Sequence, residues 1–295
     1  MRKDVFLLSA LFLAACSTPQ PANENFKVVT SIGPLYSLTA NLFEGTDSEV
    51  VNLLPSGTSV HSYQLSVDDV IALDEADLIV VNGLELEHFL EDYLEENQNR
   101  VLVASEGLDF LMGDDLHCED GHCPDSYDPH VWLDPRNAAK MSENIYNVIV
   151  EFDGENTVQY ENNLNDLVAR LDSLDRNIVE SLADLEIDAY IVFHDAYAYF
   201  EEAYGIEAVA SVQEFPGDEP SAEYLANLVD LIQSYDVDVA FAEPEFLPKV
   251  LESLAMDYDL LVYQLSPLGT EVSKDGYFDM MRRNLNSFKK AFDGR

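Results

Sequence analysis

Residues 155–185 read ENTVQYENNLNDLVARLDSLDRNIVESLADL, a stretch with neither proline nor glycine. Leu164, Leu167, Leu171, Leu174, Ile178 and Leu182 recur in it at three- and four-residue spacing, the period of one apolar helix face. At 1.5 Å per residue the stretch predicts a helix of about 46 Å, long enough to run along two domains of ordinary size. One stiff helix between two domains restricts hinge closure, where a pair of flexible linkers would permit it.

On the amino-terminal side, residues 27–31, 49–54, 77–81 and 100–104 are short β-branched runs that read as strands, alternating with helical patterns over 35–43, 66–73 and 85–96. Ser66 suits a helix N-cap, with Asp68 and Asp69 in the first turn. On the carboxyl-terminal side the alternation returns: strands at 189–193, 207–212, 237–242 and 260–265, helices at 196–204, 221–234, 247–257 and 276–292. Strands alternating with helices argue for parallel sheets with crossover helices. The expected fold is therefore α/β, two doubly wound Rossmann-like domains joined by one long helix, over 26–153, 154–187 and 188–295. In such sheets ligands sit beyond the carboxyl ends of the strands, which for two facing domains is the interdomain cleft.

The chain opens with Met1-Arg2-Lys3-Asp4 and an apolar run ending at Leu13-Ala14-Ala15-Cys16. That run is too short to span a bilayer and has the layout of a secretory signal over 1–15. The Leu-Ala-Ala-Cys segment resembles the lipobox of bacterial lipoproteins, which makes Cys16 the lipidated first residue and 16–25, polar and proline-bearing, a stalk. Extracytoplasmic placement and membrane attachment through a lipid anchor follow as expectations.

Charge narrows the partners. The 295 residues hold 57 Asp plus Glu against 15 Lys plus Arg, a net charge of −42. Clustered cations are what release counterions from phosphates, and no basic run exceeds a pair such as Arg282-Arg283. Nucleic acid is excluded as a partner. An acid excess of this size also points to adaptation to high salt, where screening relieves self-repulsion.

Three of the six histidines fall just after expected strands: His61 in Pro55-Ser56-Gly57-Thr58-Ser59-Val60-His61, His130 in Asp128-Pro129-His130-Val131-Trp132-Leu133-Asp134-Pro135, and His194 in Phe193-His194-Asp195-Ala196-Tyr197. Neutral imidazoles presented from both cleft walls suit a borderline metal such as zinc. Asp128 and Asp195 stand beside them as candidates for hydrogen bonds that orient the rings. The single tryptophan, Trp132, reads as packing that holds the His130 loop. His88 reads as the solvated face of an acidic helix, and Met280-Met281 as core.

These motifs, with Phe241-Ala242-Glu243-Pro244-Glu245-Phe246, resemble those of the zinc- or manganese-binding solute-binding lipoproteins of bacterial ABC transporters, the cluster A-I group, over essentially the whole mature chain. The resemblance implies a monomer with one metal in the cleft, an ABC transporter permease as partner, and Zn2+ as transported ligand. His at the third ligand position resembles the zinc members. At the fourth, where the family commonly has Asp, this chain has Ser266 in Ser266-Pro267-Leu268-Gly269, which leaves a water, Ser266 or an acid such as Glu271 to complete four-coordination. The place of residues 112–125 matches a His-rich loop of zinc members; for His117, Cys118, His122 and Cys123 three readings stand open: a small Cys118–Cys123 disulfide loop, an auxiliary metal site, or neither.

Three function classes compete: metal delivery (zinc, or manganese or iron), surface adhesion, and hydrolysis at a three-His zinc. Against an enzyme, no His-Glu-x-x-His helix is present.

Overall fold

The computed structural model describes residues 26–113, 127–213, 219–244 and 249–294. Its strands form two parallel four-stranded sheets of the same topology. In the first, β1 (Lys27–Thr30), β2 (Glu49–Asn52), β3 (Leu78–Val81) and β4 (Val101–Val103) lie in the order β2-β1-β3-β4. In the second, β5 (Tyr190–Val192), β6 (Ala210–Ser211), β7 (Val239–Ala242) and β8 (Leu261–Gln264) lie in the order β6-β5-β7-β8. The chain order reverses between β1 and β3 and again between β5 and β7, the switch points at which such sheets take ligands.

The central strands β3 and β7 are buried at every position, as apolar strands covered on both faces must be. The period-two alternation of strand side chains then sorts them between cores. Val28, Leu78, Val80, Tyr190, Val192, Val239 and Phe241 face one core common to both domains. Val29, Ile79 and Val81 face a core private to the first sheet, and Ile191, Ala240 and Ala242 one private to the second.

The shared core is filled by helices. The long helix α5 (Thr157–Ala183) buries Tyr160, Leu167, Leu171, Leu174, Ile178 and Leu182 along one face. It packs on α4 (Pro135–Phe152), on α1 (Gly33–Leu42) and on the last helix, α9 (Gly276–Phe292). At 27 residues it is about 40 Å long. Because α9 touches α1 as well as α5, the second domain grips the first directly. Ser37 Oγ on α1 donates to Lys274 O at 2.5 Å and accepts the Tyr277 N–H at 3.2 Å, and Trp132 Nε1 donates to Pro267 O at 2.7 Å.

Several elements differ from expectation. The helix expected over 85–96 is α3 (Glu91–Glu96) preceded by a 3₁₀ turn at His88–Leu90. Leu84 and Glu85 adopt positive φ, 55° and 60°, and this turns Glu87 inward, where it is buried. The strand expected over 207–212 is reduced to the two residues of β6. Helix α4 is an element additional to those expected. Ser66 does cap α2 (Val67–Glu75), in a reciprocal capping box with Asp69. Met280 and Met281 are core, and His88 is exposed, 4.0 Å from Glu91. No helix among the described residues is long and apolar enough to cross a membrane. Cys16 and the segment holding His117, Cys118, His122 and Cys123 lie outside the described residues.

Candidate metal centre

Each histidine is placed by buried neighbours. Pro55 ends β2's run and Gly57 turns the chain at φ 74°, after which Val60 anchors in the core and the 3₁₀ turn Val60–Ser62 leaves His61 at the rim. In the next loop Val131, Trp132 and Leu133 are all fully buried, and Asp134 caps α4 by accepting the Arg136 N–H at 2.9 Å. His130, directly before them, is held on the cleft side and is 4% exposed. His194 lies two residues beyond β5; Phe193 N–H still pairs with Phe241 O at 2.7 Å, so the sheet carries the chain to the ligand position.

The three rings meet. One nitrogen from each lies within 4.8 Å of one from each of the others, and ring centroids are 5.0 Å apart for His130 and His194, 5.3 Å for His61 and His194, and 6.1 Å for His61 and His130. The cavity they line holds about 30 Å³, room for an ion and a water rather than an organic substrate.

Two carboxylates stand behind the rings. Asp128 Oδ1 lies 2.8 Å from His130 Nδ1 and also accepts the His130 backbone N–H at 2.8 Å. Glu243 Oε1 lies 3.0 Å from His194 Nδ1. A carboxylate on Nδ1 fixes the proton there and turns the Nε2 lone pair to the cleft; His194 Nε2 is correspondingly buried with no hydrogen-bond partner. His61 is driven the same way by its surroundings. Loss of solvation in the cleft, and then the nearness of His194, His130 and His88, push its pKa down to about 3, so the ring is neutral at physiological pH.

Of the two acids expected beside the rings, Asp128 lies on His130 Nδ1; Asp195 is exposed, and the acid on His194 Nδ1 is Glu243. The parallel register explains this. Val192 pairs with Phe241, which puts position 194 alongside 243, and partners in register point to the same side. Glu271 is also displaced from the site. Its side chain is 72% exposed, 4.0 Å from Arg283, and it does not line the histidine cavity. Ser266 does line it, but its Oγ accepts the Gly269 N–H at 2.9 Å and so already closes the Ser266–Gly269 turn. Trp132 packs on His130 with centroids 5.4 Å apart, and its bond to Pro267 ties that turn to the His130 loop.

Beneath the His130 loop is a polar network that sequence inspection did not single out. Glu87 accepts from Ser31 Oγ at 2.7 Å and from the backbone N–H groups of Asn82 and Gly83 at 2.6 and 3.0 Å. Asn82 Nδ2 donates in turn to Pro129 O at 2.9 Å.

Comparison with known proteins agrees with this architecture. The family model described as zinc-uptake complex component A, periplasmic, matches residues 28–291. The high-affinity zinc uptake system protein ZnuA of Brucella abortus (strain 2308) is 31% identical over 97% of each chain. Among solved structures, a crystal structure of ZnuA has 26% identity and a TM-score of 0.76 over 89% of this chain and 99% of its own. The solute-binding protein FpvC of Pseudomonas aeruginosa, in complex with Mn2+, has 25% identity and a TM-score of 0.81 over 90% and 98%. With the family model spanning nearly all of both sheets and the relative in Brucella aligned from end to end, the chain belongs to the periplasmic zinc-uptake complex component A family.

Proposed function

We propose that the chain captures extracytoplasmic Zn2+ between its lobes through His61, His130 and His194 and delivers it to an ABC transporter permease, tethered to the membrane by a lipid on Cys16. The observation that carries this is the meeting of three imidazoles from both domains at ligand distance. Three neutral nitrogens favour zinc over the harder manganese, which prefers oxygen. The carboxylates of Asp128 and Glu243 supply two negative charges next to the ligands, matching a divalent cargo without occupying its coordination positions. Both engage ring nitrogens, which suits them to holding ligands rather than to taking a proton from water. The small cavity likewise favours carriage over hydrolysis.

Competition titration against a chromophoric zinc chelator tests the assignment. One zinc per chain is expected, with His61→Ala, His130→Ala or His194→Ala each costing far more affinity than Ser266→Ala. Unchanged affinity in His194→Ala would overturn both the three-histidine site and the zinc assignment.

A further inference from the structure

We propose that Tyr199 is a positioning residue for the metal: from the second domain it sets the spacing of His130 from His194. The inference rests on the three-histidine assignment. Helix α6 (Ala198–Tyr204) begins four residues after His194, and Ala196 N–H closes the intervening turn on His194 O at 3.0 Å. His194 and Tyr199 are therefore five residues apart on one turn-and-helix segment. Tyr199 is 4% exposed, and its hydroxyl crosses to the first domain, where it donates to Asp128 O at 2.9 Å and accepts the Leu111 N–H at 3.0 Å.

Asp128 is the residue whose carboxylate orients His130. The ring of His130, the Asp128 side chain, the Asp128 carbonyl, the Tyr199 hydroxyl and the chain back to His194 make a continuous strap between two ligands on different domains. Asn82 holds the neighbouring Pro129 carbonyl from the first domain's own side, so the Asp128-Pro129-His130 segment is fixed to both lobes. The two imidazoles then stand at metal-binding separation before the ion arrives, and binding is spared the cost of bringing them together.

Removal of the hydroxyl tests this. Tyr199→Phe keeps the ring, and Tyr199→Met keeps bulk without a hydroxyl. Tyr204→Phe is the control, because it sits on the same helix but donates to Asp175 Oδ1 on α5, at 2.9 Å. On the full chain, zinc affinity would be read by chelator competition, site geometry by the visible d–d spectrum of bound Co2+, and fold by melting of the metal-free protein. Loss of an outer partner of a ligand typically weakens metal binding 10- to 100-fold; one bond further out, a weakening of about tenfold is expected for both Tyr199 variants. Their cobalt bands should shift, while Tyr204→Phe keeps the parent's affinity and spectrum even if its melting point falls. A parent-like cobalt spectrum in Tyr199→Phe, or equal weakening in Tyr204→Phe, would overturn the strap. Failure of the parent chain itself to bind one metal would instead overturn the three-histidine assignment.

Discussion

A histidine ligates a metal only as the neutral ring with its free nitrogen aimed at the ion; partners on Nδ1 orient two of the three rings, and the surroundings keep the third uncharged. His130 and His194 have their Nδ1 atoms on Asp128 and Glu243, whereas His61 has its pKa pushed down to about 3, by burial first and by its histidine neighbours second. From about pH 6 to about pH 4, His61 therefore has no proton for zinc to displace, and acid competes at no more than two ligands. Zinc affinity should fall by no more than about two decades per pH unit in that window. The fluorescence of Trp132, the one tryptophan, packed on His130, gives the readout; a three-decade slope would show that all three rings release protons. Glu243→Gln keeps the size and an acceptor but removes the charge behind His194, and should weaken zinc about 10- to 100-fold with little change in melting temperature. The meeting of the three histidines was legible from their places after strand ends, but the role of Glu243 was not, since it lies 49 residues from the histidine it orients. The signal was available in the parallel register, which aligns position 243 with 194 once β5 and β7 are known to be neighbours.

Among the elements, α6 carries a partly buried acid, Glu201, whose pKa moves in the opposite direction to that of His61. Glu201 Oε1 accepts from Tyr190 Oη at 2.8 Å and from the Ala208 N–H at 3.0 Å, tying the helix to β5 and to the loop that follows. Burial outweighs those bonds and raises its pKa from 4.5 to about 7. A folded pKa above the unfolded one means that its contribution to stability is whole below about pH 4.5 and is lost as pH rises through about 7. Glu201→Gln has no such loss. Its unfolding free energy in urea should gain on the parent's between about pH 5 and 8, by up to roughly 3 kcal/mol; a gap independent of pH would refute the shift. Elements with a strong internal period were legible: α5 lies within two residues of the expected span at both ends, because its apolar face repeats without a breaker. Local backbone choices defeated the pattern elsewhere. Residues 85–96 have helical composition, yet the positive φ of Leu84 and Glu85 and the inward turn of Glu87 serve the network under His130, so tertiary demand overrides propensity. Helix α4 has its start signals, Asp134 as cap and Pro135 at its first position, inside the Asp-Pro-His-Val-Trp-Leu-Asp-Pro motif, so one short stretch serves both the site loop and the helix start.

For the whole molecule, charge is the dominant long-range effect. A net charge of −42 acts between the lobes as well as within them, opposing the contacts that α9, Trp132 and Ser37 make across the boundary. Those contacts are short-ranged: a packed helix face, the indole bond to Pro267 O and the Ser37 bonds at α9. The repulsion reaches about 10 Å at 0.1 M ionic strength but only about 3 Å at 1 M. Added salt therefore weakens what drives the lobes apart and leaves what holds them together nearly untouched. The melting temperature of the metal-free protein should rise steadily with sodium chloride between dilute buffer and about 1 M. Chloride is the salt to use, because sulfate strengthens apolar burial in any protein and would give a rise without electrostatics. Sucrose, which stabilises folds without screening, serves as the reference for solvent effects unrelated to charge. If melting is flat or falls with chloride, the acidic surface is not a load on the fold, and the interpretation of the composition as salt adaptation fails.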